Sequence, residues 1–339
     1  MWRILCKFAE LFVSFMWKIY HPSIPECINK VAKAPAMQRL QDVGMHCGCE
    51  YTSFPMFVGL KKYSRYDHSV GCALIVWHFT EDVRQTIAAL LHDIATPTFA
   101  HVIDFLNGDH IKQESTERGT MDIIRQDGEI MTALEELGLR LEDVADYHQY
   151  PVADNDSPKL SADRLEYTMS NLIHYHIADE ASVKAWYGDL VVGKNEEGAD
   201  ELMFQHFDAA EGFALAALHT SYIYIANEDR FAMQTLAELL KRHISRGVLS
   251  KEDLYQTENQ AITLLNKDAE AKRDWEQYQT MQHIYPNSCH PEAKVIRSKK
   301  RYINPYLQGE GRVALLSSTF TQQLSQFLHQ PLDAPLWGE

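Results

Sequence analysis

The chain has 339 residues, of which 45% are hydrophobic, and its 47 acidic and 32 basic side chains give a formal net charge of −15. This is a globular composition with length enough for a sizeable core. The negative field argues against stable non-specific binding to nucleic acid or to an anionic membrane. An anionic small molecule in a local basic pocket stays allowed, and the 16 histidines invite a search for a metal or proton-transfer site.

Residues 1–22 read as an apolar helix. Leu5, Phe8, Phe12, Phe15 and Met16 share one face at helical spacing. Lys7, Glu10 and Lys18 interrupt it, so no run reaches the ~20 apolar residues of a membrane span, and no small-residue cleavage site follows. Packing on its own domain or on a partner subunit is expected, with membrane-surface attachment as the lesser alternative. Residues 69–79 are apolar nearly all round, which predicts a central buried helix. Residues 81–94 place Val83, Ile87, Leu90, Leu91 and Ile94 on one face. Further helices are predicted over 115–126, 129–137, 162–176, 209–226, 229–246 and 258–281. Strand patterns are scarce, with 51–54 and 294–303 the best short candidates. The expectation is an all-α bundle over 23–258, with a small mixed α/β C-terminal lobe over 259–339. The six cysteines, at 6, 27, 47, 49, 72 and 289, form no CxxC pair and suit reduced thiols in the cytoplasm.

Three places pair histidine with carboxylate, the combination that suits a divalent transition metal. Arg65-Tyr66-Asp67-His68 precedes the buried helix, and His92-Asp93 ends the amphipathic one. Asp163 stands at a helix start that Ser161 can cap. Neighbours on a regular helix point about 100° apart, so His92 and Asp93 share an ion most easily where the helix ends. Pro97 supplies that ending, because it disfavours helical geometry at Thr96. Taken singly, His68 or His92 is more often a structural histidine than a ligand.

In this order the residues resemble the HD-domain metal-dependent phosphohydrolases, most closely the dGTPase-like deoxynucleoside triphosphate triphosphohydrolases. The matching text is Gln38-Arg39-Leu40, Phe54-Pro55, RYDHSVG at 65–71, LLHDIATPTFAH at 90–101, Asp163-Arg164-Leu165-Glu166-Tyr167 and KKRYINP at 299–305. The resemblance spans roughly residues 20–310. It implies that His68, His92, Asp93 and Asp163 hold one divalent transition metal (Mn, Fe, Co, Ni or Zn), with Mg as a companion of the substrate. It further implies that His101 lines the site beside the phosphates, that Arg65 meets a phosphate and that Tyr167 packs near the sugar. Lys299, Lys300 and Arg301 lie near the anionic ligand or at a subunit interface. A symmetric homo-oligomer is implied as well.

The sequence also departs from the family. Its second active-site histidine, within a His-Glu pair, is matched only by Gln113-Glu114, with His110 nearby. Either Glu114 and His110 take over or proton delivery is altered. Thr96 replaces a frequent histidine, and the glutamine that reads the sugar edge aligns with Met45 or His46. The expected phosphate lysine falls on acidic Asn227-Glu228-Asp229. The expected reaction is hydrolysis of a phosphoester or phosphoanhydride in a nucleotide, first of a deoxynucleoside triphosphate to deoxynucleoside and tripolyphosphate. In it, His101, Glu114 or His110 moves the proton, and Arg65 with Lys61 or Lys62 neutralises phosphoryl charge. A nucleoside monophosphatase, a phosphodiesterase and a weakly active nucleotide-binding regulator are the alternatives.

Overall fold

A computed structural model describes residues 16–107 and 119–339. Most of the apolar face of the N-terminal segment, and both His110 and Glu114, lie outside the described residues. The fold is mainly helical with two small sheets, as expected. The N-terminal half contributes α1 (Glu26–Ala32), α2 (Pro35–Arg39), α3 (Arg65–Thr80), α4 (Val83–Leu91), α5 (Val102–Asn107), α6 (Thr120–Gln126) and α7 (Gly128–Glu136). Then come α8 (Ala162–His174), α9 (Glu180–Gly188), α10 (Phe207–Ile223), α11 (Asn227–Ser245), α12 (Glu258–Leu265), α13 (Ala269–Thr280), α14 (Val313–Leu316) and α15 (Ser318–His329).

The predicted central helix is α3, and it starts four residues earlier than its apolar run. Ser64 and Asp67 form a reciprocal capping box there, which satisfies two orphan amides and sets the start one turn before His68. Every residue from His68 to Val76 is buried, and each large aliphatic among them contributes about 2 kcal/mol of burial. Glu81, at φ 50°, closes α3, and Asp82 caps α4 by accepting from the Arg84 and Gln85 amides. That tight connection lays α4 back along α3, while α8 packs on another side of α3.

The apolar residues form two cores. The larger runs from Met16 and Ile28 through α3, α4, α8 and α10, and is completed by Ile303, Leu307, Phe320 and Phe327 from the C-terminal end. The second unites Phe54, Phe57 and Phe99 with α11, α12, α13, Ile296 and Leu336. Residues beyond 259 therefore enter both cores.

The strands differ in place from the sequence reading. Residues Cys49–Tyr51 form a 3-10 turn rather than part of a strand, and only Lys294–Val295 of 294–303 is extended in a sheet. The longest pairing is a hairpin of β1 (Leu190–Lys194) and β2 (Asp200–Phe204), with Leu190 opposite Phe204. The remaining strands are shorter: β3 (Ile284–Pro286), β4 (Lys294–Val295), β5 (Tyr306–Leu307), β6 (Gly311–Arg312) and β7 (Pro335–Gly338). Strand β5 adds to β2 in parallel, and β6 pairs with β5. The second sheet runs β3-β7-β4. The single long helix expected over 258–281 is two, because Asp268 caps a new start at α13.

Candidate metal centre

Three helices deliver the donor atoms. His68 lies in the first turn of α3, His92 is the C-cap of α4, and Asp163 lies in the first turn of α8 behind its cap Ser161. His68 Nε2 is 3.1 Å from Asp163 Oδ1 and 3.2 Å from His92 Nε2. Asp93 Oδ2 stands 3.6 Å from His92 Nε2 and 3.9 Å from His68 Nε2. The helix ends at Leu91, and Thr96 N bonds back to the Asp93 carbonyl in the turn before Pro97. That turn is what lets adjacent His92 and Asp93 face one point.

The outer contacts decide which imidazole nitrogens face inward. His68 Nδ1 is 2.5 Å from Glu166 Oε2, and His92 Nδ1 is 2.7 Å from the Ala89 carbonyl. Both Nδ1 atoms therefore donate outward, leaving the two Nε2 lone pairs turned toward each other at 3.2 Å. Two lone pairs at that distance repel unless a proton or a cation lies between them. Metal–nitrogen and metal–oxygen bonds of about 2.0–2.2 Å put neighbouring donors about 3–3.5 Å apart, close to the spacing of this cluster. The donor set of neutral imidazole and carboxylate suits a divalent transition metal.

The charges are arranged to match. Burial alone would raise both carboxyls, yet Arg65, His92 and His68 hold Asp93 well below the usual range. A hydrogen bond from His68 and the charges of His92, His68 and Arg164 do the same for Asp163. Burial opposes a charge on His68, but Cys72, Asp163 and Glu166 outweigh it and push that imidazole up.

Glu166 holds His68, a role that no local pattern announces. Its carboxylate accepts from His68, from the Tyr63 hydroxyl, and from Ser170 Oγ at 2.9 Å and Tyr20 at 3.4 Å. Glu166 lies three residues after Asp163, so one turn of α8 supplies both a donor atom and the support of its neighbour. Gly71 makes this approach feasible: a Cβ there would meet Glu166 Oε1 at 2.8 Å. Cys72, one turn after His68, is in sequence only one of the scattered reduced thiols. Its Sγ lies 3.6 Å from both ring nitrogens of His68. With His68, His92 and Asp163 it forms a set whose donor atoms all lie within 4.8 Å of one another. Burial pushes its thiol up, against the opposing effect of His68.

The other expected site residues divide sharply. Arg65 bonds Asp93 Oδ2 at 2.8 Å, and Thr96 Oγ1 donates to Asp93 Oδ1 at 2.8 Å. Arg65 thus holds Asp93 rather than standing open to a phosphate, and Thr96 holds the same carboxylate. His101 follows a turn in which Phe99 and Ala100 both take positive φ, 60° and 47°, a conformation that costs energy for non-glycine residues. Its Nδ1 lies 2.9 Å from the buried Asp104 carboxylate. Burial lowers the His101 pKa, the Arg301 and Arg65 charges add to that, and Asp104 opposes it. Tyr167 has its ring centroid 6.4 Å from that of His68.

His46 is buried with Nδ1 3.3 Å from the Tyr175 hydroxyl, and its Nε2 has no partner among the described residues. Burial, with His174 and Arg65, drops its pKa to about 3. Lys300 Nζ donates to the Leu328 and Gln330 carbonyls at the end of α15. Lys61 and Lys62 are exposed. The acidic 227–229 segment is less negative than its sequence suggests, because burial pushes Asp229 up to about 8 despite Arg230.

No protein-family model matches the chain. Over 279 residues it is 23% identical to the uncharacterized protein YdhJ of Bacillus subtilis, covering 81% of this chain and 79% of that one. Over 150 residues it is 26% identical to the metal-dependent phosphohydrolase cns2 of Cordyceps militaris, covering 43% of this chain and 40% of that relative. A crystal structure of a hypothetical protein from Aquifex aeolicus shares the fold, with a TM-score of 0.63 at 16% identity over 88% of this chain and 89% of that one. Among the described residues, no helix is long and apolar enough to cross a membrane.

Proposed function

We propose that the chain is a metal-dependent phosphohydrolase of the HD type that cleaves a phosphoester or phosphoanhydride in a nucleotide. A deoxynucleoside triphosphate, split into deoxynucleoside and tripolyphosphate, is the first substrate to try. The supporting observation is the pair of inward-facing Nε2 atoms 3.2 Å apart, ringed by the Asp93 and Asp163 carboxylates. The name of the Cordyceps militaris relative points to the same chemistry. His68, His92, Asp93 and Asp163 would hold the ion, with Glu166 and the Ala89 carbonyl orienting the two imidazoles. A divalent cation there supplies Lewis-acid stabilisation of phosphoryl oxygens and acidifies a water.

The chain's own groups supply the rest. Asp104 fixes the His101 tautomer with Nδ1 protonated, so Nε2 is the atom that accepts a proton from water or returns one to the leaving oxygen. Arg65 keeps Asp93 ionised and oriented, and acts as a positioning residue. The region expected to supply a phosphate lysine offers Asn227, whose Oδ1 accepts from Arg230, and a largely protonated Asp229. That absence of a lysine favours, as a second reading, a substrate with fewer phosphates, cleaved as by a nucleoside monophosphatase or a phosphodiesterase.

Metal analysis of the purified protein, followed by a panel of mono-, di- and triphosphates with the released group identified, tests these readings. Tripolyphosphate supports the first and orthophosphate from monophosphates the second. Binding without turnover identifies a regulator instead. Asp93→Asn is expected to remove bound metal and hydrolysis together, and chelation should abolish wild-type turnover until Mn²⁺ is restored. Full metal content in Asp93→Asn would sink the ligand assignment.

A further inference from the structure

Two helices of 12 residues each bury side chains at the same spacing and differ in what they turn to water. Helix α13 buries Ala271, Trp275 and Tyr278, and α15 buries Phe320, Leu324 and Phe327. The rest of α13 carries Glu270, Lys272, Arg273, Asp274 and Glu276, the charged outer side usual for a solvated helix. Helix α15 carries no Asp, Glu, Lys or Arg, and neither does any part of 313–332, in a chain of which 23% of the residues are charged. The uncharged runs 68–80 of α3 and 212–227 of α10 are accounted for by burial in the larger core. The outer side of α15 has no such account.

That face is open and rigid. Leu315 is 84% exposed, Leu316 37% and Leu328 40%. Leu315 and Leu316 border a groove of about 580 Å³, lined further by Ser318, Thr321, Gln322 and Ser325. Beneath it α15 is fixed at both ends, because Ser317 Oγ accepts from the Phe320 amide and Lys300 Nζ donates to the Leu328 and Gln330 carbonyls. The Phe327 ring stands edge-on to Tyr222, with centroids 5.0 Å apart. A fixed, partly apolar face without charge has the composition of an interface centre rather than of free surface.

The chemistry of the face selects its occupant. A cationic partner calls for carboxylates on this surface and an anionic membrane for Lys and Arg, and neither is there. A second copy carries the same −15, so two chains approach with least repulsion where neither bears charge. Gln, Ser and Thr each hold donor and acceptor atoms. Any of them can therefore pair with its own counterpart across a two-fold axis, where Lys or Glu would meet its own charge. The patch also sets a projecting leucine beside a groove, as a self-complementary contact requires.

We propose that the outer face of α14 and α15 is a two-fold interface at which this chain pairs with a second copy of itself, Leu315 of each copy seated in the groove of the other. The family resemblance implies a symmetric assembly without saying which surface forms it. The uncharged face supplies that surface, whatever reaction the metal centre performs.

The test is sedimentation velocity of the full chain over a range of concentrations, at low salt and at about 0.5 M salt. Wild type is expected to pair, and more tightly at the higher salt, because screening relieves the repulsion between the two acidic chains while no ion pair is lost. Leu315→Ser and Gln322→Glu alter exposed positions and should each weaken pairing by about tenfold or more, with the far-UV circular dichroism unchanged. Gln322→Lys alone should do the same, yet an equimolar mixture of Gln322→Lys and Gln322→Glu should recover pairing, since opposite charges then share one interface. That mixture decides the matter if Leu315→Ser does not fold. A wild type that stays monomeric at every concentration overturns the proposal. So does an assembly that neither Leu315→Ser nor Gln322→Glu weakens, or one that high salt breaks apart.

Discussion

Two groups of carboxyls that burial would raise behave oppositely. Asp93 and Asp163 are held well below the usual range, because His68 and His92 act on both, with Arg65 at Asp93 and Arg164 at Asp163. Glu50 and Asp229 are each pushed up to about 8. Burial dominates at both, Glu258 adds like-charge repulsion at Glu50, and Arg65 or Arg230 opposes only weakly. The same residue types, each penalised by burial, are charged in one place and largely neutral in the other. Burial by itself therefore says nothing about charge; the number of cations facing the carboxyl decides it. In this molecule that rule separates a cluster of ionised carboxylates and imidazoles from a neighbouring wall that is polar but largely uncharged at neutral pH.

The largest way to disturb the contrast, short of removing a ligand, is Glu166→Gln. It deprives His68 Nδ1 of a charged acceptor, and metal affinity is expected to fall by about 10–100-fold, as for other outer-sphere carboxylates. Titration of apoprotein with Mn²⁺ reads this directly, and unchanged affinity would show that Glu166 only fills space. Next comes Gly71→Ala. The added methyl meets Glu166 Oε1 at 2.8 Å, so the carboxylate or the helix must shift, at a cost of about 1–3 kcal/mol of stability. Thermal melts with and without Mn²⁺ check it: stability should fall in both, and the gain on adding metal should shrink.

The uncharged wall is tested by pH instead. The Asp229 carboxyl has a pKa of about 8 in the folded chain against about 3.9 unfolded. Between those values the unfolded chain releases the proton while the folded one keeps it, so wild-type stability drains away as pH rises. Asp229→Asn removes that loss. The variant should gain on wild type as pH is raised from about 4 to about 8, then hold a constant lead, in urea melts at several pH values. A lead that shrinks with rising pH would mean that Asp229 is ionised and that the wall carries charge.

The site was legible in sequence to the extent that its donors announce themselves locally. His92-Asp93 is a dipeptide at a helix end that Pro97 enforces, and Asp163 follows a capping serine. What supports them was not legible. Glu166 meets His68 and Tyr63 across 98 and 103 residues, and nothing in a local pattern distinguishes it from an ordinary helix glutamate. Lys299, Lys300 and Arg301 are neighbours that the sequence cannot rank; Lys300 is the one that closes α15. The β1–β2 hairpin escaped notice because its outer strand is only partly buried, which weakens the alternation that marks a strand.

Periodicity and capping, both properties of short stretches, determined the helices: Ser64, Asp82 and Ser161 cap theirs, and the apolar runs behind them choose which faces go inward. The sequence thus set a mainly helical chain with histidine and aspartate at three helix ends. Tertiary structure alone decided that those ends meet at one point, with two imidazole Nε2 atoms 3.2 Å apart. It also decided which acids stay charged there, because pKa follows from the cations and the water that packing brings to a carboxyl or takes away. The −15 of the whole chain counts every acid as ionised, including Asp229 and Glu50, which folding keeps largely protonated at neutral pH.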